Sequence, residues 1–237
     1  MRPLVYAALA MMACAHPDDE AADDDDAWDV PRRCIAPAGL GRPATIDDVV
    51  TLMNALPMPV TLPCFLEALD RPLGLTAATS PFSAQPTDSF EDPRLFLHDD
   101  ALVMTIVTTG EASAVLELGE YTGPGRSRKA ELELPVREAL PRSAPYARTI
   151  LGEGTSCALC HADERFTEDV EGLSTYTSEA LAPEPEREIS VAFVEQHARA
   201  CVDADPSDRC ALLQAVFAHG DVHERAFPPE ARICITP

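Results

Sequence analysis

Four short apolar runs follow one another in the stretch RLFLHDDALVMTIVTTGEASAVLELGEYTGPGRSRKAELELPV, residues 94–136. The last run, KAELELPV, alternates polar and apolar residues, as a strand with one solvent-facing side does. Asp-Asp, Gly-Glu and Gly-Pro-Gly sequences separate the runs and are typical of turns. The stretch therefore predicts an antiparallel β-meander, which a strand near 73–78 would extend; its four strands are expected at 94–98, 102–108, 113–119 and 129–136.

Helical patterns lie on both sides of this meander. Residues 45–56 (TIDDVVTLMNAL) carry an apolar stripe, with Thr45 as N-cap and Pro57 after the last turn. A second short helix is expected at 64–69, and two more at 188–202 and 208–219. The predicted fold class is α+β, an antiparallel β-meander with N-terminal helices (32–140) and a helical, cysteine-rich C-terminal region (141–237).

The charge balance is strongly acidic. Aspartate and glutamate number 40 against 18 lysines and arginines, which gives a formal net charge of −22. Nucleic-acid-binding proteins carry basic patches, so we expect no nucleic acid among the partners of this chain. Anionic lipid would repel it as well, and membrane attachment is therefore expected only through a covalent anchor.

The N-terminus has the features of an export signal. Arg2 precedes an unbroken apolar run, Leu4–Ala13, which is too short to span a bilayer. The sequence Met11-Met12-Ala13-Cys14 resembles the lipobox of bacterial lipoproteins. This resemblance implies a signal peptide at 1–13, lipid on Cys14 and a tether at 14–31 that eight carboxylates keep extended, on a protein anchored in the outer membrane. The alternative is an ordinary signal peptide whose cleavage removes Cys14.

The motif Cys157-Ala-Leu-Cys160-His161 is the strongest chemical signal in the chain. It resembles the haem-attachment site of c-type cytochromes, in which two thiols one helical turn apart bond to the porphyrin and the histidine binds the iron. The resemblance spans five residues and implies one covalent haem c. Three alternatives remain: a CxxC disulfide oxidoreductase, a zinc site and a simple structural disulfide.

A second iron ligand is harder to assign. All six methionines precede the motif, at positions 1, 11, 12, 53, 58 and 104. Downstream candidates are therefore His197, His219 and His223, unless the iron is five-coordinate. We predict His197, since it shares the apolar side of its helix with Phe193. His98, at the end of a predicted strand, is expected to be exposed.

The remaining cysteines suggest disulfides. Cys34 and Cys64 flank the first helical unit, and Cys201 and Cys210 lie at the ends of two consecutive helices, so each pair is a disulfide candidate. Without Cys14 and the motif pair, five of the eight cysteines remain. One of them must consequently be unpaired within the chain.

These features favour electron transfer, or redox or ligand sensing, by one c-type haem on a membrane-anchored lipoprotein. Its partner would be a redox protein or an envelope protein. The alternative is a non-catalytic, disulfide-stabilised surface lipoprotein that binds an envelope component. The sequence has no phosphate-binding glycine loop, GxSxG elbow or HExxH helix. No catalytic residue is therefore predicted.

Overall fold

The computed structural model describes residues 30–201 and 208–234. Its helices are α1 (Ile46–Ala55), α2 (Leu62–Ala68), α3 (Ala144–Ala147), α4 (Val191–Arg199) and α5 (Asp208–Phe217). All four helices predicted from the sequence are present, each within three residues of its predicted start. The first is stabilised by a capping box, in which the Thr45 side chain accepts from the Asp48 amide and the Asp48 carboxylate accepts from the Thr45 amide.

The strands in the described residues include a long antiparallel series. They are β1 (Leu73–Ala78), β2 (Arg94–Asp99), β3 (Leu102–Val107), β4 (Val115–Gly123), β5 (Arg126–Glu133), β6 (Ile150–Leu151), β7 (Gly154–Thr155), β8 (Arg165–Val170), β9 (Leu173–Glu179), β10 (Leu181–Ala182), β11 (Glu188–Ile189), β12 (Val222–Glu224) and β13 (Arg232–Ile233). Nine form one sheet in the order β11-β1-β2-β3-β4-β5-β9-β8, with β12 parallel to β1. The fold is thus mixed α and β around a large antiparallel sheet, and the predicted meander β2–β5 is its centre.

One face of this sheet carries the hydrophobic core. Leu75, Leu97 and Met104 lie side by side on neighbouring strands, and all three are buried. Apolar side chains of α1, α2, α4 and α5 pack into the same cluster. The helices therefore cover a single face, as the alternation along each strand requires.

The opposite face is polar but also largely covered. On β2 it carries Arg94, Phe96 and His98, which alternate with the core leucines. The expectation of an exposed His98 was wrong, because its ring is 7% exposed and lies edge-on against Phe227 at 4.8 Å. The His98 Nε2 lies 2.8 Å from Thr76 Oγ1.

Two disulfides join residues of the described chain. Cys34 is bonded to Cys64, which ties the segment before α1 to α2. Cys201 is bonded to Cys210, which ties the residue after α4 to the first turn of α5. Both pairs are the ones that the sequence suggested, and a disulfide typically contributes about 2–4 kcal/mol.

The helical character expected for 141–237 is not confirmed. Helices α4 and α5 are there, but β8 and β9 form a hairpin whose second strand pairs with β5 through Arg126, Ser127 and Arg128. The core cluster likewise includes residues from both predicted regions. The signal peptide, Cys14 and nearly all of the acidic tether lie outside the described residues.

In the part of the chain that the structure describes, no helix has the length and apolar character needed to cross a membrane.

The core side of β2 provides a test of this fold. Replacing Leu97, which has no exposed surface, with alanine should lower the free energy of unfolding by about 2–5 kcal/mol, since a buried cavity forms. Urea unfolding followed by circular dichroism measures the loss. The matched control is Leu151→Ala, which deletes the same atoms at a position 56% exposed and should change stability by less than about 0.5 kcal/mol. Equal effects at the two positions would contradict the assigned core.

Candidate functional site

The Cys157–His161 motif forms a tight turn on the polar side of the sheet. Residues Ser156–Leu159 are a 3₁₀ turn, and the amides of Cys160 and His161 both donate to the Cys157 carbonyl, at 3.1 and 2.8 Å. Cys157 is half-buried and Cys160 is exposed, and neither is in a disulfide. The motif therefore presents two free thiols and an imidazole from one turn of chain.

Backbone hydrogen bonds fix this turn at both ends. Before it, the Ser156 amide donates to the Thr149 carbonyl at 2.8 Å. After it, the Glu179 amide donates to the Ala162 carbonyl at 3.0 Å. The turn is consequently held against the end of β9, although its sequence is mostly small residues with little apolar surface of its own.

His161 is held in one tautomer. Its Nδ1 lies 2.9 Å from the Glu179 carbonyl oxygen, which can only accept, so Nδ1 carries the hydrogen and Nε2 keeps its lone pair. Burial, together with the smaller effect of the Lys129 charge, lowers the pKa of His161 to about 4. The ring is therefore neutral near pH 7. An Nδ1–H bonded to a carbonyl, with Nε2 unprotonated, is the usual arrangement of a metal-binding histidine.

Lys129, the single lysine of the chain, lies behind this histidine. Its Nζ donates to the Glu179 carbonyl at 3.2 Å and to the Ser127 and Ser178 hydroxyls at 2.7 and 3.2 Å. In the described residues no carboxylate is within ion-pair distance of Nζ. Burial lowers the pKa of Lys129 to about 8. The ammonium thus shares its acceptor with His161 and adds positive charge on the Nδ1 side of the ring.

A cavity of about 440 Å³ opens beside the motif. Its volume is in the range of small-molecule and cofactor sites. Two of its lining side chains, Phe82 and Leu159, are 62% and 79% exposed, so the cavity has an apolar, open mouth. The lining consists of Ser80, Phe82, Ser83, Ala84, Arg94, Phe96, Glu117, Leu118, Lys129, Ala130, Glu131, Ser156, Cys157, Leu159, Cys160, His161, Leu181, Ala182, Pro183 and Cys234.

Two charged side chains that line the cavity are paired with each other. Arg94 and Glu117 form an ion pair, and burial raises the pKa of Glu117. Burial also raises the pKa of Cys157 to about 11, so this thiol stays protonated near neutral pH. The cavity therefore combines an apolar mouth with a neutral imidazole and protonated sulfur.

The structure brings together some of the predicted site residues and not others. Cys157, Cys160 and His161 line one cavity. His197, the predicted sixth ligand, does not reach it, since its ring packs 4.6 Å from that of Phe193 on α4. His219 and His223 are also absent from the lining. Within the described cavity wall, His161 is accordingly the only histidine, and no methionine is present.

Cys234 is among the residues of this cavity that sequence reasoning missed. Of the five cysteines outside the motif and Cys14, Cys234 is the one that forms no disulfide. It follows β13 and lies beside β10, where its amide donates to the Ala182 carbonyl at 2.9 Å. The odd number of cysteines was the available signal, although it could not give a position. Three free thiols thus border one cavity.

The rival interpretations of the motif receive different support. Over the described residues, no three His, Cys, Asp or Glu side chains converge closely enough to hold a metal ion. A disulfide oxidoreductase would need a motif thiol of low pKa, whereas burial raises that of Cys157. The geometry instead suits a group that takes one nitrogen from His161 and fills an open apolar cleft.

The chain has no match among protein-family models, curated proteins or solved structures.

The Glu179 carbonyl that His161 and Lys129 share leads to a prediction for the pKa of His161 in the protein without any bound group. Its pKa, followed by ¹³C–¹H NMR, should be about 4. Lys129→Met should raise that value, because the neighbouring positive charge is removed, but burial should keep it below about 6.5. As the pH falls, the unfolded chain binds a proton at this histidine at about pH 6.5, whereas the folded protein does so only at about pH 4. The contribution of His161 to the free energy of unfolding is therefore lost as the pH falls from about 6.5 to about 4.

Lys129→Arg is the matched control, because it keeps the positive charge behind the ring. The pKa of His161 should stay close to the wild-type value in this variant. An ordinary pKa near 6.5 in the wild type, or no change in Lys129→Met, would refute the arrangement of His161, Lys129 and the Glu179 carbonyl.

Proposed function

We propose that the chain carries one covalent haem c, attached through Cys157 and Cys160 and bound at its iron by His161. The observation that carries this proposal is the Nδ1 hydrogen bond of His161 to Glu179, which leaves Nε2 unprotonated at the wall of an apolar cavity. Attachment would add each thiol S–H across a vinyl group, with the sulfur bonded to carbon and the hydrogen transferred to the other vinyl carbon. No oxidant is needed for this step.

The residues present fit such a group. The Cys157–His161 turn supplies the two thiols, and Phe82 and Leu159 are large apolar side chains that a flat hydrophobic ligand would cover. When bound, the haem would supply one-electron and small-ligand chemistry. The protein would hold the haem through His161, and the carbonyl of Glu179 would fix the tautomer of the His161 imidazole.

The proposed role is electron transfer or redox or ligand sensing. In the described wall of the cavity, His161 is the residue that would bind the iron, since the wall contains no second histidine and no methionine. A small exogenous molecule would then be able to reach the iron through the open mouth. Lys129, behind His161, would disfavour negative charge on the imidazole and so would stabilise the reduced iron.

We also propose that the protein is exported and anchored in the outer membrane by lipid on Cys14. The support for this is the signal-like run that ends in Ala13-Cys14 and the acidic stretch after it. A redox protein or an envelope protein would then be the partner. The second functional candidate, a haem-free binding lipoprotein, is favoured by the two disulfides and by the exposed apolar mouth at Phe82 and Leu159.

Expression in a host with cytochrome c maturation tests the haem proposal. The intact protein should gain the mass of one haem and show a Soret band, and both should disappear in Cys157→Ala/Cys160→Ala, because no thioether can form. The reduced protein should bind carbon monoxide without displacing a protein ligand.

His197→Ala is the control variant, since this side chain packs against Phe193 away from the cavity. Its spectrum should match that of the wild type. A colourless protein, produced while a known cytochrome matures in the same cells, would exclude haem attachment and favour the binding lipoprotein. A haem spectrum that changes in His197→Ala would show that His197 binds the iron and would contradict the assignment of His161 as the residue of the cavity wall that holds it alone.

Lipid attachment is tested separately by Cys14→Ser. The wild-type protein should fractionate with membranes and incorporate labelled palmitate, whereas the variant should do neither because it lacks the acceptor thiol. Cys234→Ser is the matched control and should behave as the wild type. Unlabelled wild-type protein in the soluble fraction would show that the signal is of the ordinary, cleaved kind.

A further inference from the structure

Three free thiols line the cavity, whereas the proposed haem attachment would use only two of them. The four cysteines of the two disulfides are accounted for, and Cys157, Cys160 and Cys234 are the free cysteines of the described residues. In an oxidising compartment, neighbouring free thiols form disulfides readily. The relevant question is which two of the three can pair.

The backbone brings Cys160 and Cys234 to the same short segment. At one end of residues 179–182, the Glu179 amide donates to Ala162, two residues after Cys160. At the other end, the Cys234 amide donates to the Ala182 carbonyl, and the Arg232 amide donates to Ala180, each at 2.9 Å. The motif turn and β13 are thus anchored to four consecutive residues, and both cysteines line the cavity beside them.

The third thiol is less suited to pairing. Cys157 is half-buried at the start of the turn, so an external oxidoreductase reaches its sulfur less readily. Cys160 is exposed and is therefore the thiol that an external oxidant reaches first. Cys234 is half-buried and lines the same cavity as Cys160.

We propose that Cys160 and Cys234 form a third, reversible disulfide in the haem-free exported protein. The oxidant would be the disulfide of an exported thiol oxidoreductase. Two exchange steps would join the two sulfurs, and the oxidoreductase would leave as a dithiol with both hydrogens. The bond would tie β13 to the motif turn across the cavity. Where the proposed function holds, it would also block the thioether at Cys160, so reduction must precede haem attachment.

Disulfide mapping of the full chain, exported in a host without cytochrome c maturation, tests this inference. After acid quenching, alkylation and proteolysis, mass spectrometry should find a Cys160–Cys234 peptide and an alkylated Cys157. The Cys34–Cys64 and Cys201–Cys210 disulfides serve as internal standards for complete oxidation and correct folding. Mild reductant should open the Cys160–Cys234 bond before either of these.

Two variants make the result decisive. Cys157→Ser should keep the Cys160–Cys234 disulfide, because it removes only the thiol that does not take part. Cys234→Ser should abolish that peptide and leave Cys160 alkylated or joined to Cys157. A wild-type protein with both standards intact but with a Cys157–Cys160 bond, or with Cys234 alkylated, would overturn the proposal. Haem attachment is measured in a different host, so either proposal can fail while the other stands.

Discussion

The two-residue alternation of the central strands is the constraint on which the rest of the structure depends. Each residue of β2–β5 points to one face or the other, so strands that bury leucines beneath the helices must place their intervening residues on the opposite face. On β2 this puts Arg94 and Phe96 opposite Leu95 and Leu97. The polar face is then covered by the motif turn and by the chain that follows β9. The cavity lies between this cover and the sheet, and charged side chains of the sheet form part of its lining.

Burial of those charged groups is unfavourable. The ion pairs, hydrogen bonds and pKa shifts that offset this burial determine the chemistry of the cavity. Arg94 is neutralised by Glu117, while Lys129 has only uncharged acceptors and a pKa lowered to about 8. The same desolvation holds His161 as a neutral imidazole and Cys157 as a thiol. These are the protonation states that iron binding by the imidazole and addition of a thiol to a vinyl group require. A site at the solvent-exposed rim would not enforce either of them.

The features that could be predicted from the sequence are those that local patterns determine. The alternation of polar and apolar residues predicted the meander, and the apolar stripe predicted α1. Strand β8 was missed because its residues are mostly exposed and show no apolar alternation. That strand exists through pairing with β9, which in turn pairs with β5. The CxxCH motif is also local and was found. Lys129 and Cys234 come from distant parts of the chain, and only the topology brings them to His161. The predicted apolar side of α4 was wrong, because the residues that this helix buries are Val191, Val194 and Ala198. Phe193 is 37% exposed, and His197 packs against it on that outer side instead of reaching the cavity.

The proposed Cys160–Cys234 disulfide would link the redox state of the cavity to its occupancy by haem. A cysteine sulfur forms one covalent bond beyond its own side chain, so a Cys160 joined to Cys234 cannot also be joined to a porphyrin. The two bonds would therefore compete for one atom, and the balance would depend on the reductants and oxidants of the compartment. Cys157 would stay outside this competition, because it is half-buried and less accessible than Cys160. The two motif thiols would then differ. Half-buried Cys157 would remain available to the ligand, whereas the availability of exposed Cys160 would depend on Cys234, which lies 74 positions further along the chain.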